Sequence, residues 1–281
     1  MKGEYPIRTL CELLHVARGG YYHWRAAGPT ARQNRDASLA LEIAAVHRTS
    51  RGNYGAPRIV AELHDRAIRI SRRRCARLMR AQRLRGRKRQ RRSPRTTDSR
   101  HGRAVAENLL RDHAGPTGPD QVWLTDITYV RTGEGWLYVA AILDAWSRRI
   151  VGWACRPTLH TTLVAQALHS ALLHRRPSPG LLHHSDRGSQ YVDTAYQKTL
   201  ADAGLRQSMS RAGNCYDNAM MESFWSTLKT ETGIETTIPS TQRAATLAVF
   251  DYIATFYNPT RRHSSLGYLS PVAFEQQHPH K

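Results

Sequence analysis

Val122-Trp123-Leu124-Thr125-Asp126-Ile127-Thr128-Tyr129-Val130 reads as a β-strand with an acid at its centre. Its β-branched and aromatic residues favour extended backbone. Gly133–Gly135 marks a turn, and Trp136–Asp144 and Arg148–Cys155 read as two further strands. Three strands in such quick succession predict an antiparallel meander. Thr161–His174 reads as a helix, with Leu163, Ala167 and Ala171 at regular spacing. Leu181–Ser185 is a short strand, Ala195–Ala203 a helix ended by Gly204, and Arg206–Met209 a fifth strand. A loop at 211–216 leads into a long helix from about 217 to 231. The order βββαβαβα predicts an α/β domain, with helices against a mixed five-stranded sheet.

Toward the N-terminus the pattern becomes all-helical. Residues 8–25 read as two short helices broken at Gly19-Gly20, and residues 36–47 as a third. Pro57 suits the start of a helix over 57–64. Ser71 is a fitting N-cap for the next one, which places Cys75, Leu78 and Met79 on a buried face. Arg73, Arg77 and Arg80 recur at i, i+4, i+7 on another face. Two short helices, a turn and an arginine-faced helix suit a helix-turn-helix reader of DNA. The expected organisation is a helical, helix-turn-helix-like arm over 1–84 and a basic linker over 85–117. A core over 118–235 follows, completed by a C-terminal helix and tail over 236–281.

The charge supports that reading. The chain of 281 residues carries a net +20. Residues 51–95 hold 17 Lys+Arg against 2 acids, so most of the excess sits in one segment. Such a block attracts a polyanion and releases its counterions. No apolar run approaches the length of a membrane span, and Glu4, Arg8 and Glu12 interrupt any signal-peptide pattern. A cytoplasmic, nucleoid-associated protein without a membrane partner is expected. Cys11, Cys75, Cys155 and Cys215 form no closely spaced pair, which argues against a zinc module.

Three acids occupy telling positions. Asp126 lies within the first strand, Asp186 directly follows the fourth, and Glu222 lies on the long helix. Converging carboxylates repel one another and raise each other's pKa. A divalent cation removes that conflict, and an all-oxygen donor set favours Mg²⁺ or Mn²⁺. Two such ions can stabilise both the attacking and the leaving oxygen of a phosphoryl transfer. On the same helix, Met221, Phe224 and Leu228 form an apolar stripe. Asn218, Glu222, Trp225 and Lys229 form a second stripe, turned by roughly 100°. Lys229, two turns beyond Glu222, is placed to hold a DNA phosphate.

Thirty-five residues separate Asp186 from Glu222, and six separate Glu222 from Lys229. This spacing resembles the D,D-35-E signature of retroviral integrases and related transposases. His184-Ser-Asp-Arg-Gly-Ser-Gln-Tyr191 is similar to the second-aspartate motif of the IS-three group of bacterial insertion sequences. Asn214-Cys-Tyr-Asp-Asn-Ala-Met-Met-Glu-Ser-Phe224 resembles their glutamate motif. Tyr257-Asn-Pro-Thr-Arg261, His263, Ser265-Leu-Gly-Tyr268 and Ser270-Pro271 resemble their C-terminal motif. The arm over 8–95 resembles the helical region of the second-frame product, OrfB.

The resemblance implies an RNase H-like integrase core with Asp126, Asp186 and Glu222 as catalytic ligands of two Mg²⁺ or Mn²⁺ ions. It implies a DNA transposase that hydrolyses the element's end to a 3′-OH, which then attacks another strand. Element ends and target DNA are the implied partners, with a homo-oligomer on DNA. It also leaves an alternative open: a catalytic half that works only with, or fused to, an upstream-frame OrfA product. Arg261 and His263 are expected DNA contacts, as are Arg73, Arg77, Arg80, Asn218 and Lys229. Asp144 either tunes the site or caps a turn, and Asp217 is placed to cap the glutamate helix. His183 and His184 suit a structural role at least as well as DNA contact. A repressor with a dead core would show a broken acid set, whereas all three acids are present. A simple nuclease leaves the basic arm unexplained.

Overall fold

The computed structural model describes residues 5–87, 106–111, 113–210 and 218–279. Two compact units make up the chain, divided between Gly86 and Arg87. Most of the expected basic linker, the 211–216 loop, Cys215 and Asp217 lie outside the described residues.

In the first unit, α1 (Ile7–Leu13) and α2 (Arg18–Ala26) pack on each other. The break between them falls at Leu14–Ala17, not at Gly19-Gly20. His15 turns the chain with a positive φ of 50°. The two glycines sit in the first turn of α2. Helix α3 (Ala31–Thr49) starts five residues before the expected Asp36, because Thr30 and Gln33 form a capping box. Helices α4 (Ala56–Asp65) and α5 (Arg72–Ala81) pack on α3 and on each other. Ile43, Ile59, Leu63 and Cys75 form the fully buried centre. Ser71 caps α5 by accepting the Arg74 N–H (3.2 Å).

The second unit holds β1 (Val122–Thr132), β2 (Gly135–Asp144), β3 (Ile150–Arg156), β4 (Leu182–Ser185) and β5 (Arg206–Met209). They form one sheet in the order β3-β2-β1-β4-β5. β1, β2 and β3 are the expected antiparallel meander, whereas β4 and β5 run parallel to β1. Helices α6 (Thr161–Arg175) and α7 (Thr194–Asp202) cover one face. There Trp123, Ile142, Leu163, Leu168 and Tyr196 form the core. Gly152 permits the closest approach, since a Cβ there would strike the Ala167 carbonyl oxygen of α6.

Side chains alternate along a strand. Trp123 and Ile127 join that core, so Asp126 points to the opposite face. Helices α8 (Ala219–Thr232) and α9 (Gln242–Asp251) pack against β1 on that side. The chain then widens into a π-helical turn (Tyr252–Tyr257), passes a 3₁₀ turn (Ser264–Leu266) and ends in α10 (Pro271–Gln277). Among the described residues, no helix is long and apolar enough to cross a membrane.

The C-terminal segment is bound into this unit. Asn258 pairs with the β3 backbone, accepting the Ile150 N–H and donating to its carbonyl, both at 2.9 Å. Arg261 forks onto Glu231 of α8 at 2.8 and 2.7 Å, and the Tyr252 hydroxyl donates to the same carboxylate at 2.9 Å. Both charged side chains are 6% exposed. Arg261→Ala leaves Glu231 buried without its charge partner, a change of roughly 3–5 kcal/mol. Urea unfolding is expected to show a loss of that size. A loss below about 1 kcal/mol would mean that the pair does not hold this segment.

His183 on β4 is fully buried, with Nε2 at 3.2 Å from the Tyr196 hydroxyl. Burial, with the neighbouring His184 charge, depresses its pKa from 6.5 to about 3. The unfolded chain therefore binds a proton below pH 6.5 that the native state refuses until about 3. This group's contribution to stability is intact above pH 6.5 and is lost as pH falls through that window. Between pH 7 and 5 the difference amounts to about 2 kcal/mol. His183→Gln is expected to lose about that much less stability than the parent chain over the same interval. Equal acid sensitivity of the two proteins would contradict this.

Candidate active site

The sheet topology brings two of the three acids together. Leu124 of β1 pairs with His184 of β4 in parallel register. Two residues further along each chain stand Asp126 and Asp186. Asp186 is half-buried beyond the end of β4, and its Oδ1 accepts the Gly188 N–H at 2.9 Å. Glu222 stands exposed in the first turn of α8, where the helix dipole favours an anion.

Asp126 is strongly perturbed. Burial first, and then the charge of Asp186, push its pKa up to about 8. The Ile127 N–H and the Trp225 indole N–H oppose that rise, while the charge of Glu222 adds to it. The Trp225 Nε1–H donates to Asp126 Oδ2 at 3.0 Å. Asp126 therefore feels the charge of both other acids. Among the described residues, however, no three acid, histidine or cysteine side chains meet closely enough to hold a metal ion as they stand. The donor set still fits a hard divalent cation. It is all oxygen, and the carboxylate at its centre is destabilised by like charge that a cation would neutralise.

Two neighbours of the site had no role in the sequence reading. Tyr191 is fully buried, with its hydroxyl 3.4 Å from Thr125 Oγ1. Burial, then the charges of Asp126 and Asp186, hold it well above the usual phenol range, so it stays protonated. Trp225 was legible only as a member of the Glu222 stripe. The i+3 spacing was the signal available, and the hydrogen bond itself depends on tertiary packing.

The other expected contacts are distributed unevenly. Lys229 is one-fifth exposed, 3.3 Å from Glu235 Oε1 and 5.4 Å above the Tyr129 ring. Asn218 is buried at the N-cap of α8 without a side-chain capping bond. His263 is half-buried, edge-on to Tyr257 at 5.0 Å. Arg261 is 5% exposed and bound to Glu231, so the structure makes it an internal anchor instead of a surface cation. Asp144 is a turn anchor: its carboxylate accepts the backbone N–H groups of Asp120, Trp146 and Ser147. His183 and His184 are core residues, the latter with Nδ1 2.9 Å from Ser208 Oγ.

The first unit carries a separate cationic feature. Arg32 and Arg35 of α3 and Arg73, Arg74, Arg77 and Arg80 of α5 line an open groove of about 810 Å³. Asp36 lies beside it, accepting from Arg74 Nε at 2.8 Å and Arg77 Nη2 at 2.6 Å. These bonds, that of Arg77 foremost, hold the Asp36 carboxyl below the usual range. The sequence reading found Arg73, Arg77 and Arg80. It missed Arg32, Arg35 and Arg74, the first two because α3 was started too late.

Comparison with known proteins agrees with this architecture. The family described as an integrase core domain matches residues 116–215 and, in a second model, 203–271. An HTH-like domain matches residues 33–92. A 31 kDa protein of insertion element IS600 from Shigella sonnei is 45% identical over 269 residues, covering 96% of this chain and 98% of its own length. Transposase InsF for insertion sequence IS3A from Escherichia coli (strain K12) is 40% identical over 281 residues, covering 98% and 96%. Among solved structures, a simian T-cell lymphotropic virus intasome chain aligns with a TM-score of 0.48 at 14% identity, over 85% of this chain and 75% of that one. The catalytic core of BIV integrase aligns with a TM-score of 0.43 at 16% identity, over 57% and 97%. With relatives so similar over nearly the whole length, the chain belongs to the insertion-sequence transposases built from an HTH-like domain and an integrase core.

Proposed function

We propose that this transposase cleaves and joins DNA strands with divalent metal ions held by Asp126, Asp186 and Glu222. The observation that carries the reading is the placement of Asp126 and Asp186 at neighbouring positions on the parallel β1 and β4, with α8, which bears Glu222, hydrogen-bonded to Asp126 through Trp225. They would hold two Mg²⁺ or Mn²⁺ ions, which when bound polarise a phosphodiester and the oxygen attacking it. In the first reaction water adds to phosphorus at the element's end and a 3′-OH departs. In the second that hydroxyl forms a new P–O bond to another strand as an old one breaks. Bond number is conserved in the joining step, so it needs no external energy source.

The half-buried setting of Asp126 keeps its carboxylate poorly hydrated, which would strengthen its hold on a cation. Lys229 and Asn218, on the Glu222 stripe, are the proposed phosphate contacts of the core, with His263 as a further contact. Lys229 has to leave Glu235 to serve. In the first unit, the α5 arginines and Arg32 and Arg35 are the proposed contacts to the DNA backbone. DNA ends and target are the partners in this reading, brought together by an oligomer of the chain. The upstream-frame product enters as an additional partner where the chain is inactive alone.

Glu222→Gln preserves shape while removing one charge from the site. Incubated with Mg²⁺ and DNA carrying the element's own ends, the parent chain is expected to cleave and join. The variant is expected to lose at least 100-fold in both, on the order of what one essential group contributes. Equal activity in the two proteins would remove Glu222 from the site.

Arg73→Glu and Arg80→Glu test the groove without touching the Asp36 pairs. Each lost phosphate contact is expected to lower the slope of log K against log salt by about 1. A slope unchanged by both would take α5 away from the DNA.

A further inference from the structure

We infer that Trp225 is a positioning residue, a neutral tether that sets the distance between the strand carboxylate and the helix carboxylate. The inference rests on the reading of Asp126, Asp186 and Glu222 as a metal-holding set.

Trp225 lies three residues after Glu222, so the two share one face of α8, a turn apart. Its indole is 6% exposed and packs on Phe224 at 4.8 Å between ring centres. From there the Nε1–H donates to Asp126 Oδ2 at 3.0 Å. An indole N–H is only a donor and never ionises in this range, so the bond persists whatever the charge of Asp126. It therefore fixes both the turn of α8 that carries Glu222 and the rotation of the Asp126 carboxylate. The tether engages Asp126 Oδ2, and the Ile127 N–H also donates to this carboxylate.

The rear of α8 is held independently. Arg261 and Tyr252 grip Glu231, and Tyr257 meets Phe224 edge-on at 4.9 Å. Those contacts fix where the helix lies. They do not orient the Asp126 carboxylate, which Trp225 alone reaches from α8 among the hydrogen bonds described. A donor behind a ligating carboxylate raises metal affinity by holding the ligand in its productive orientation. Removing such a partner weakens affinity about 10–100-fold.

Trp225→Phe keeps an aromatic ring and deletes the N–H. The full-length chain is titrated with Mn²⁺ alone by calorimetry, beside Asp126→Asn and Phe224→Leu. The tether predicts Mn²⁺ binding weakened about 10–100-fold in Trp225→Phe, with DNA affinity unchanged. Phe224→Leu, which disturbs the packing alone, is expected to melt earlier yet bind Mn²⁺ as the parent does. If Trp225→Phe binds Mn²⁺ like the parent while Asp126→Asn does not, the tether is wrong and the metal reading stands. If Asp126→Asn also binds like the parent, both are wrong.

A second measurement needs no folded Trp225 variant. In chain labelled with ¹⁵N-tryptophan, the Trp225 indole proton is expected to exchange slowly and to lose that protection in Asp126→Ala, which has no acceptor. Fast exchange in the parent chain would overturn the tether.

Discussion

Like charge crowded into a half-buried site is the constraint on which the rest of the integrase unit depends. An aspartate in the middle of a central strand is costly unless it is paired or neutralised. Asp126 has no cationic partner among the groups that set its ionisation; it has two more carboxylates. Such an arrangement favours the protonated form of Asp126, and in the proposed reading a bound cation would take the proton's place. The fold must hold the acids near one another against their repulsion. It does so with elements far apart in sequence: a parallel β1–β4 pair for Asp126 and Asp186, and a helix across the other sheet face for Glu222.

That helix is the element with most to resist, and its supports are distributed accordingly. Apolar packing of Met221, Phe224 and Leu228 seats it. The buried Arg261–Glu231 pair stops its far end from rotating, and the C-terminal motif is thereby part of the scaffold of the site. A buried pair of this kind is a weak source of net stability, yet a strong source of geometric definition. The first unit shows the same logic in milder form. Asp36 holds Arg74 and Arg77 in place, at the edge of a groove that Arg32, Arg35, Arg73 and Arg80 also line.

The strands and the three acids were legible in sequence because they are local patterns. A β-rich run with an acid inside it, and an acid directly after a short apolar strand, need no knowledge of the partners. The meander likewise follows from short connections. Helix α3 was read too short because its start is set by a reciprocal Thr30–Gln33 cap instead of by apolar periodicity. The glycine pair misled for the opposite reason: in the first turn of a helix glycine disrupts little, and the real break lies at His15. Arg261 was expected to contact DNA, because the partner that buries it is 30 residues away on another helix. Trp225 was visible as a residue on the right stripe, but no sequence pattern announces a donor aimed across the fold at another strand.

The most direct test is anomalous diffraction at the manganese edge from crystals of the full chain grown with Mn²⁺. The account predicts two peaks about 4 Å apart, bounded by the carboxylates of Asp126, Asp186 and Glu222 and missing in Asp126→Asn. Peaks elsewhere, or none between these acids at saturating Mn²⁺, would contradict it.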